Sequence, residues 1–225
     1  MTTLVYRSAS EINSAMSRVY GHMAMAVLTS MIISWFVAST PAIHSALFGT
    51  WFKWIVIFAP LVAVFGVSIA LNANPPKPIA MALLHGFAAL MGLSFSTIFI
   101  VYTLGSIVSA FMAAAVLFGT LSLYGYFTKK NLESIGQFMF IGLIAIVIAS
   151  IINIFIGSST MAMVISALAV IIFLGLTAWD TQRIREMVTD GSASDSVEIQ
   201  GALSLYLNFI NIFLSLLQLF GDKKE

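Results

Sequence analysis

Apolar residues run through this chain in blocks of membrane length, each closed by a short polar or helix-breaking stretch. At a rise of roughly 1.5 Å per residue, a helix of about 20 residues crosses the hydrocarbon core of a bilayer. Seven blocks meet that length, at about 22–39, 51–71, 78–101, 106–126, 135–156, 161–179 and 202–220. The punctuation is clear. Pro41 closes the first block, and Asn72-Ala-Asn-Pro-Pro-Lys-Pro78 separates the second from the third. Thr103-Leu-Gly105, Lys129-Lys-Asn-Leu-Glu133 and Gly157-Ser-Ser159 mark later turns. Short connections make sequential helices antiparallel neighbours, so the pattern predicts an all-α integral membrane protein. It would be a seven-helix bundle forming a single membrane domain over 1–225, with no internal repeat. Ahead of the first block, residues 1–20 are polar. There Ser8-x-x-Glu11 reads as a capping box, followed by Ile12, Met16 and Val19 at helical spacing. This predicts a short amphipathic helix on the cytoplasmic interface.

Composition agrees with the pattern. The chain is 60% hydrophobic and 8% charged, with a mean hydropathy of +1.03, whereas soluble domains are about 25% charged. A formal net charge of +1 and no basic run longer than Lys129-Lys130 set nucleic acid aside. Without cysteine there is no disulfide, thiolate metal site or thiol nucleophile. The polar start lacks the apolar core and cleavage site of a signal peptide, so no processing is expected. Positive charge is asymmetric: Arg7, Arg18, Lys77, Lys129, Lys130, Arg183 and Arg185 fall on one side of the crossings and, leaving out the tail with Lys223 and Lys224, Lys53 on the other. The positive-inside rule then predicts a cytoplasmic N-terminus. Seven full crossings put the C-terminal tail outside, whereas a re-entrant last segment would return it.

Polar groups inside the blocks are few. Asp180 stands alone among the acids in falling inside or at the end of one, and an intramembrane carboxylate is read first as functional. Its place beside Trp179, three residues before Arg183, also fits a solvated carboxylate at the interface. In the last block Ser204, Asn208, Asn211, Ser215 and Gln218 recur at spacings of four, three, four and three, along one helical face. Hydrocarbon gives an amide no partner, so this stripe packs against other helices or lines a wet cavity. The last helix is therefore expected at the centre of the bundle. Asn153 is expected to make an interhelical hydrogen bond, and His85 could titrate near neutral pH but reads more simply as a satisfied structural group. Ala88, Gly92 and Ser96 form a small-residue groove for close helix packing. Enzyme chemistry is not expected: an aspartyl dyad needs a second intramembrane carboxylate, no His-Glu-x-x-His motif occurs, and Ser94 and Ser96 have no adjacent base. No cofactor and no tightly bound metal are implied.

Thr177-Ala-Trp-Asp180-Thr-Gln182 and Leu203-Ser-Leu-Tyr-Leu-Asn-Phe-Ile-Asn-Ile-Phe213 resemble the Bax inhibitor-1 family, also called the transmembrane Bax inhibitor motif or lifeguard family. The similarity extends to Ala89-Leu-Met-Gly-Leu-Ser94, Leu121-Ser-Leu-Tyr-Gly-Tyr-Phe-Thr-Lys-Lys130 and Ile151-Ile-Asn-Ile-Phe-Ile-Gly-Ser-Ser159. The short termini look like its bacterial branch, which implies the inner membrane. The resemblance implies a seven-helix bundle with the last helix in the middle. It also implies association with proton-sensitive calcium leak, with protection from cell death in eukaryotes, or with modulation of a membrane protease. In the calcium-leak members two aspartates share a proton and set the pore closed or open. Asp180 matches the first, and Asn208 occupies the second position. Two close carboxylates titrate as a coupled pair, whereas a carboxylate and an amide cannot. Two functions stay open: a weak or regulated leak for calcium or other cations, and a non-conducting regulator of a membrane protease or other membrane protein. In the first, Asp180 is the pathway charge and Asn208, Ser204, Asn211 and Ser215 line it.

Overall fold

The computed structural model describes residues 8–190 and 194–224, and these are helical nearly throughout. The helices are α1 (Ala9–Ala38), α2 (Pro41–Phe48), α3 (Phe52–Asn72), α4 (Lys77–Phe95), α5 (Ile98–Val101), α6 (Leu104–Phe127), α7 (Glu133–Ile156), α8 (Ser159–Thr189) and α9 (Asp195–Phe220). Seven helical stretches, with α4 and α5 taken together, are long and apolar enough to cross a membrane. Arg7, used above to orient the chain, lies outside the described residues.

Local chemistry sets most boundaries. Ser8 and Glu11 make the reciprocal capping box. It opens a 30-residue helix that continues without a break through the first apolar block. Pro41 does not simply end that block. It begins α2, where its missing N–H costs nothing at the first helical position. Gly157 closes α7 in the left-handed conformation at φ 69°, and there Asn153 finds its partners. Its side-chain oxygen accepts from the Ser158 N–H and its amide donates to the Ser158 carbonyl, both at 3.1 Å. The expected interhelical bond from Asn153 is thus corrected to a local cap, because a helix end leaves backbone groups that a nearby amide can satisfy.

The chain forms two compact units. The first holds the residues up to Thr103, Met187–Tyr206 and the tail from Lys224; the second holds Leu104–Glu186 and Leu207–Lys223. In the first unit α1 packs on α4. Gly92 is the reason they can approach: a Cβ there would lie 2.7 Å from the Ser30 carbonyl oxygen and 2.9 Å from the Ile33 Cβ, so the expected groove is real. In the second unit, α6 and α7 both pack on α8 through glycines described below. Outward surfaces are apolar, with Phe155 86% exposed at the end of α7. Apolar exposure on this scale is a lipid-facing surface. By contrast, 61% of the apolar window of α9 is buried, against 6–33% for the other six, as expected for the central helix.

Contacts within the first unit fix the course of α9. Its start is tied to the α3–α4 connection by Lys77–Asp195 at 3.0 Å, Ser196 Oγ to the Pro75 carbonyl at 2.6 Å and Gln200 to Asn72 at 2.7 Å. Beyond its end, the Lys224 N–H donates to the Val101 carbonyl at 2.9 Å and its ammonium to the Phe99 carbonyl at 2.7 Å. From Asp195 to Lys224 the chain thus covers the length of α4–α5. At 26 residues, about 39 Å, α9 is long and apolar enough for a full crossing.

Candidate functional site

Asp180 belongs to a segment of α8 whose neighbours hold it from several sides. Gly125 of α6 faces Ala178 so closely that a Cβ would overlap the Ala178 backbone carbonyl, and Gly136 of α7 meets the Trp179 indole in the same way. The Trp179 Nε1–H donates to Glu133 at 3.0 Å. Gln182 is 8% exposed and uses both ends of its amide on the α6–α7 connection. Its oxygen accepts from the Leu132 N–H and its nitrogen donates to the Lys130 carbonyl, each at 2.8 Å. Arg185 donates to the Tyr126 carbonyl at 2.9 Å. Residues one before, two after and five after Asp180 are thereby fixed, which leaves its carboxylate little freedom.

The partly buried Asp180 carboxylate accepts a hydrogen bond of 2.7 Å from the Asn208 amide of α9. Asn208 itself is buried. The two positions singled out in the sequence therefore meet, at a distance typical of a charge-assisted bond. Asp180 is consequently not a freely solvated interface carboxylate. The rest of the stripe divides. Ser215 is buried, Ser204 and Asn211 are partly exposed, and Gln218 is exposed. Asn211 turns its amide to the Leu207 carbonyl of its own helix at 2.8 Å. Ser204, two residues before Tyr206, belongs to the first unit, while Asn208, Asn211 and Ser215 belong to the second.

A second polar contact fixes α9 from another side. Tyr206, fully buried, lies 2.7 Å from Ser30 Oγ, which lies 2.7 Å from the Ala88 carbonyl. The serine has one proton and the carbonyl can only accept, so Tyr206 donates to Ser30 and Ser30 to Ala88.

The structure corrects one expectation about charge. Asp180 is not the sole acid held within the helices: Glu198, near the start of α9, is 3% exposed and takes a bidentate ion pair from Arg18 of α1, at 2.5 and 2.8 Å. Sequence reasoning missed it by starting the last block at Ala202. The available signal was Ser194 followed by Asp195 and Glu198, an N-cap with acids in the first turn; Ser194 Oγ indeed accepts from the Val197 N–H at 3.4 Å. His85 lies 3.0 Å from Thr29 Oγ1, in the first unit and away from the Asp180 pair in sequence and contacts. No cluster of three or more His, Asp or Glu able to hold a metal occurs among the described residues.

Fold and site together define an all-α multi-pass membrane protein whose most buried helix presents an amide to an intramembrane carboxylate. Residues 12–225 match the family described as inhibitor of apoptosis-promoting Bax1, and the chain belongs to this Bax inhibitor-1 family. It is 37% identical over 221 residues to the inner membrane protein YbhL of Escherichia coli K12, covering 95% of this chain and 93% of that protein. It is 38% identical over 217 residues to YrjE of Lactococcus lactis, covering 93% and 91%. Protein RP147 of Rickettsia prowazekii is 36% identical over 213 residues, covering 93% and 90%.

Proposed function

We propose that the protein is a weak or regulated cation leak, with calcium among its ions, in which Asp180 is the charge on the pathway and Asn208 holds it closed. The observation that supports this most directly is the 2.7 Å bond from the Asn208 amide to the Asp180 carboxylate. A hydrogen bond to a charged group contributes about 1.5–3 kcal/mol, enough to favour the joined arrangement and small enough to be broken by a modest conformational bias. Calcium prefers several oxygen ligands. One carboxylate with the amide oxygen of Asn211 and the hydroxyl of Ser215 suits passage better than storage. An amide in place of a second carboxylate removes the coupled titration of a dyad, so the response to pH at this pair is flatter than a dyad's. Likeness to YbhL and the distribution of Lys and Arg support placement in a bacterial inner membrane with the N-terminus cytoplasmic and the tail external. No catalytic step is assigned to any residue.

The test is flux of calcium and potassium into liposomes holding only the purified chain, at two pH values. Calcium entry should be measurable, and Asp180→Asn should lower it at least tenfold while helicity by circular dichroism is unchanged. Absence of flux from folded protein, or equal flux in the variant, would remove Asp180 from any pathway. The second reading, a non-conducting regulator that binds a membrane protease or other membrane protein, is favoured by one observation. Asn211 spends its amide on its own helix, as a polar group would if the stripe served packing. Zero flux with intact fold supports that reading.

A further inference from the structure

The cations of the described residues are unevenly satisfied. Arg18 and Lys77 are ion-paired with Glu198 and Asp195, Lys53 lies over the Trp54 ring, and Arg185 and Lys224 donate to backbone carbonyls. Lys129, Lys130 and Arg183 are exposed and make no ion pair among the described residues; Lys223 in the tail shares that condition. The first three belong to one place. Gln182 bonds the Lys130 carbonyl at 2.8 Å, and Arg183, next in sequence, lies over the Trp179 ring at 5.4 Å. Two acids are within electrostatic reach of Arg183, but Glu133 directs its carboxylate oxygens to Trp179 and to Gln137, at 3.0 and 3.1 Å, and Asp180 accepts from Asn208 at 2.7 Å.

The loop that carries the lysines is built. Its backbone is held by both ends of the buried Gln182 amide, by Thr128 Oγ1 accepting from the Lys130 N–H at 3.3 Å and by Asn131 accepting from the Glu133 N–H at 2.7 Å. The loop joins the ends of two membrane-length helices, and the last turns of α6 leave Phe127 and Tyr124 71% and 47% exposed. Aromatic rings at the end of a span sit at the depth of lipid headgroups. Two lysines on a braced loop, with Arg183 of α8 beside them and none of the three in an ion pair among the described residues, match phosphate anions anchored in the membrane at that depth.

We propose that Lys129, Lys130 and Arg183 form a seat for the headgroups of anionic phospholipids, held in shape by Gln182. The seat is braced to the same turn of α8 that carries Asp180, so lipid charge at the loop bears on the position of that carboxylate. Attraction to an anionic surface is about 1 kcal/mol for each Lys or Arg, or about fivefold in affinity.

The experiment is a binding titration and does not depend on conduction. The full chain carries four tryptophans, three of which, Trp35, Trp51 and Trp54, are exposed. Replacing those three with Phe leaves Trp179 as the reporter beside Arg183. In neutral detergent, short-chain phosphatidylglycerol should change its emission saturably, while phosphatidylcholine and inorganic phosphate should not. Lys129→Gln with Lys130→Gln should weaken the phosphatidylglycerol midpoint about 25-fold with Trp179 and Arg183 untouched. Gln182→Met should weaken it with both lysines present, since the clamp positions them. Equal responses to the two lipids, an unmoved midpoint in the lysine variant, or equal effect of free phosphate would overturn the lipid seat. An unmoved midpoint in a folded Gln182→Met would overturn the clamp.

Discussion

Exchanging the two members of the polar pair tests the site most severely. Asn208→Asp alone sets two carboxylates where a carboxylate and an amide now lie 2.7 Å apart. It removes a bond worth about 1.5–3 kcal/mol. Two full charges at that separation repel by about 6 kcal/mol at an effective dielectric of 20. Relaxation of the helices or uptake of one proton limits the real cost. At acid pH one proton can bridge the pair, so the variant should unfold close to the parent. At alkaline pH both groups are charged, and the variant should be destabilised by several kcal/mol. Adding Asp180→Asn restores one charge and one amide with donor and acceptor exchanged. This double variant should regain most of the parent's stability at alkaline pH. The assay is unfolding of the three proteins in mixed micelles, followed by tryptophan emission at acid and alkaline pH. If the double variant is no more stable than Asn208→Asp at alkaline pH, the two side chains do not face each other and the proposed site dissolves. Calcium entry into liposomes by the same set then asks about function separately. Asn208→Asp should gain a pH-dependent leak, greater as pH rises, and the exchanged pair should show a flatter profile over the same window.

Arg18→Met leaves Glu198 with its side chain 4% exposed and unpaired. Because the Arg18 side chain is 46% exposed, the loss in unfolding experiments should be about 2–3 kcal/mol, below the 3–5 of a fully buried pair. Adding Glu198→Gln should recover at least half of it. Gly125→Ala drives a methyl into the Ala178 carbonyl, which cannot swing aside, and should cost about 3 kcal/mol. Gly119→Ala on the same helix, with nothing within 4 Å, should be neutral by the same measurement. Reporter fusions at the C-terminus and in the Lys129-Lys130 turn should report opposite sides of the membrane. The same side for both would contradict a full crossing by α9.

The length and apolarity of the spans are properties of consecutive residues, which is why seven membrane-length stretches could be read from the chain, although α1, α8 and α9 run well beyond the apolar blocks. The N-cap at Ser8 and the centrality of α9 were legible for related reasons: a capping box is four residues long, and amides at helical spacing in an apolar block must turn away from lipid. The importance of Asp180 was legible because an acid in such a block is costly. Only tertiary structure brought Asn208 to within 2.7 Å of it, and only the fold gave Glu198 its partner, 180 residues away. Read alone, Glu198 sits in a polar stretch before a span and looks solvated; packing against α1 is what buries it. The glycine seats for Ala178 and Trp179 depend on which faces of distant helices meet. Hydrophobic length and period are written locally and survive in any packing. The partner of a polar group is set by the packing itself, and sequence spacing does not encode it.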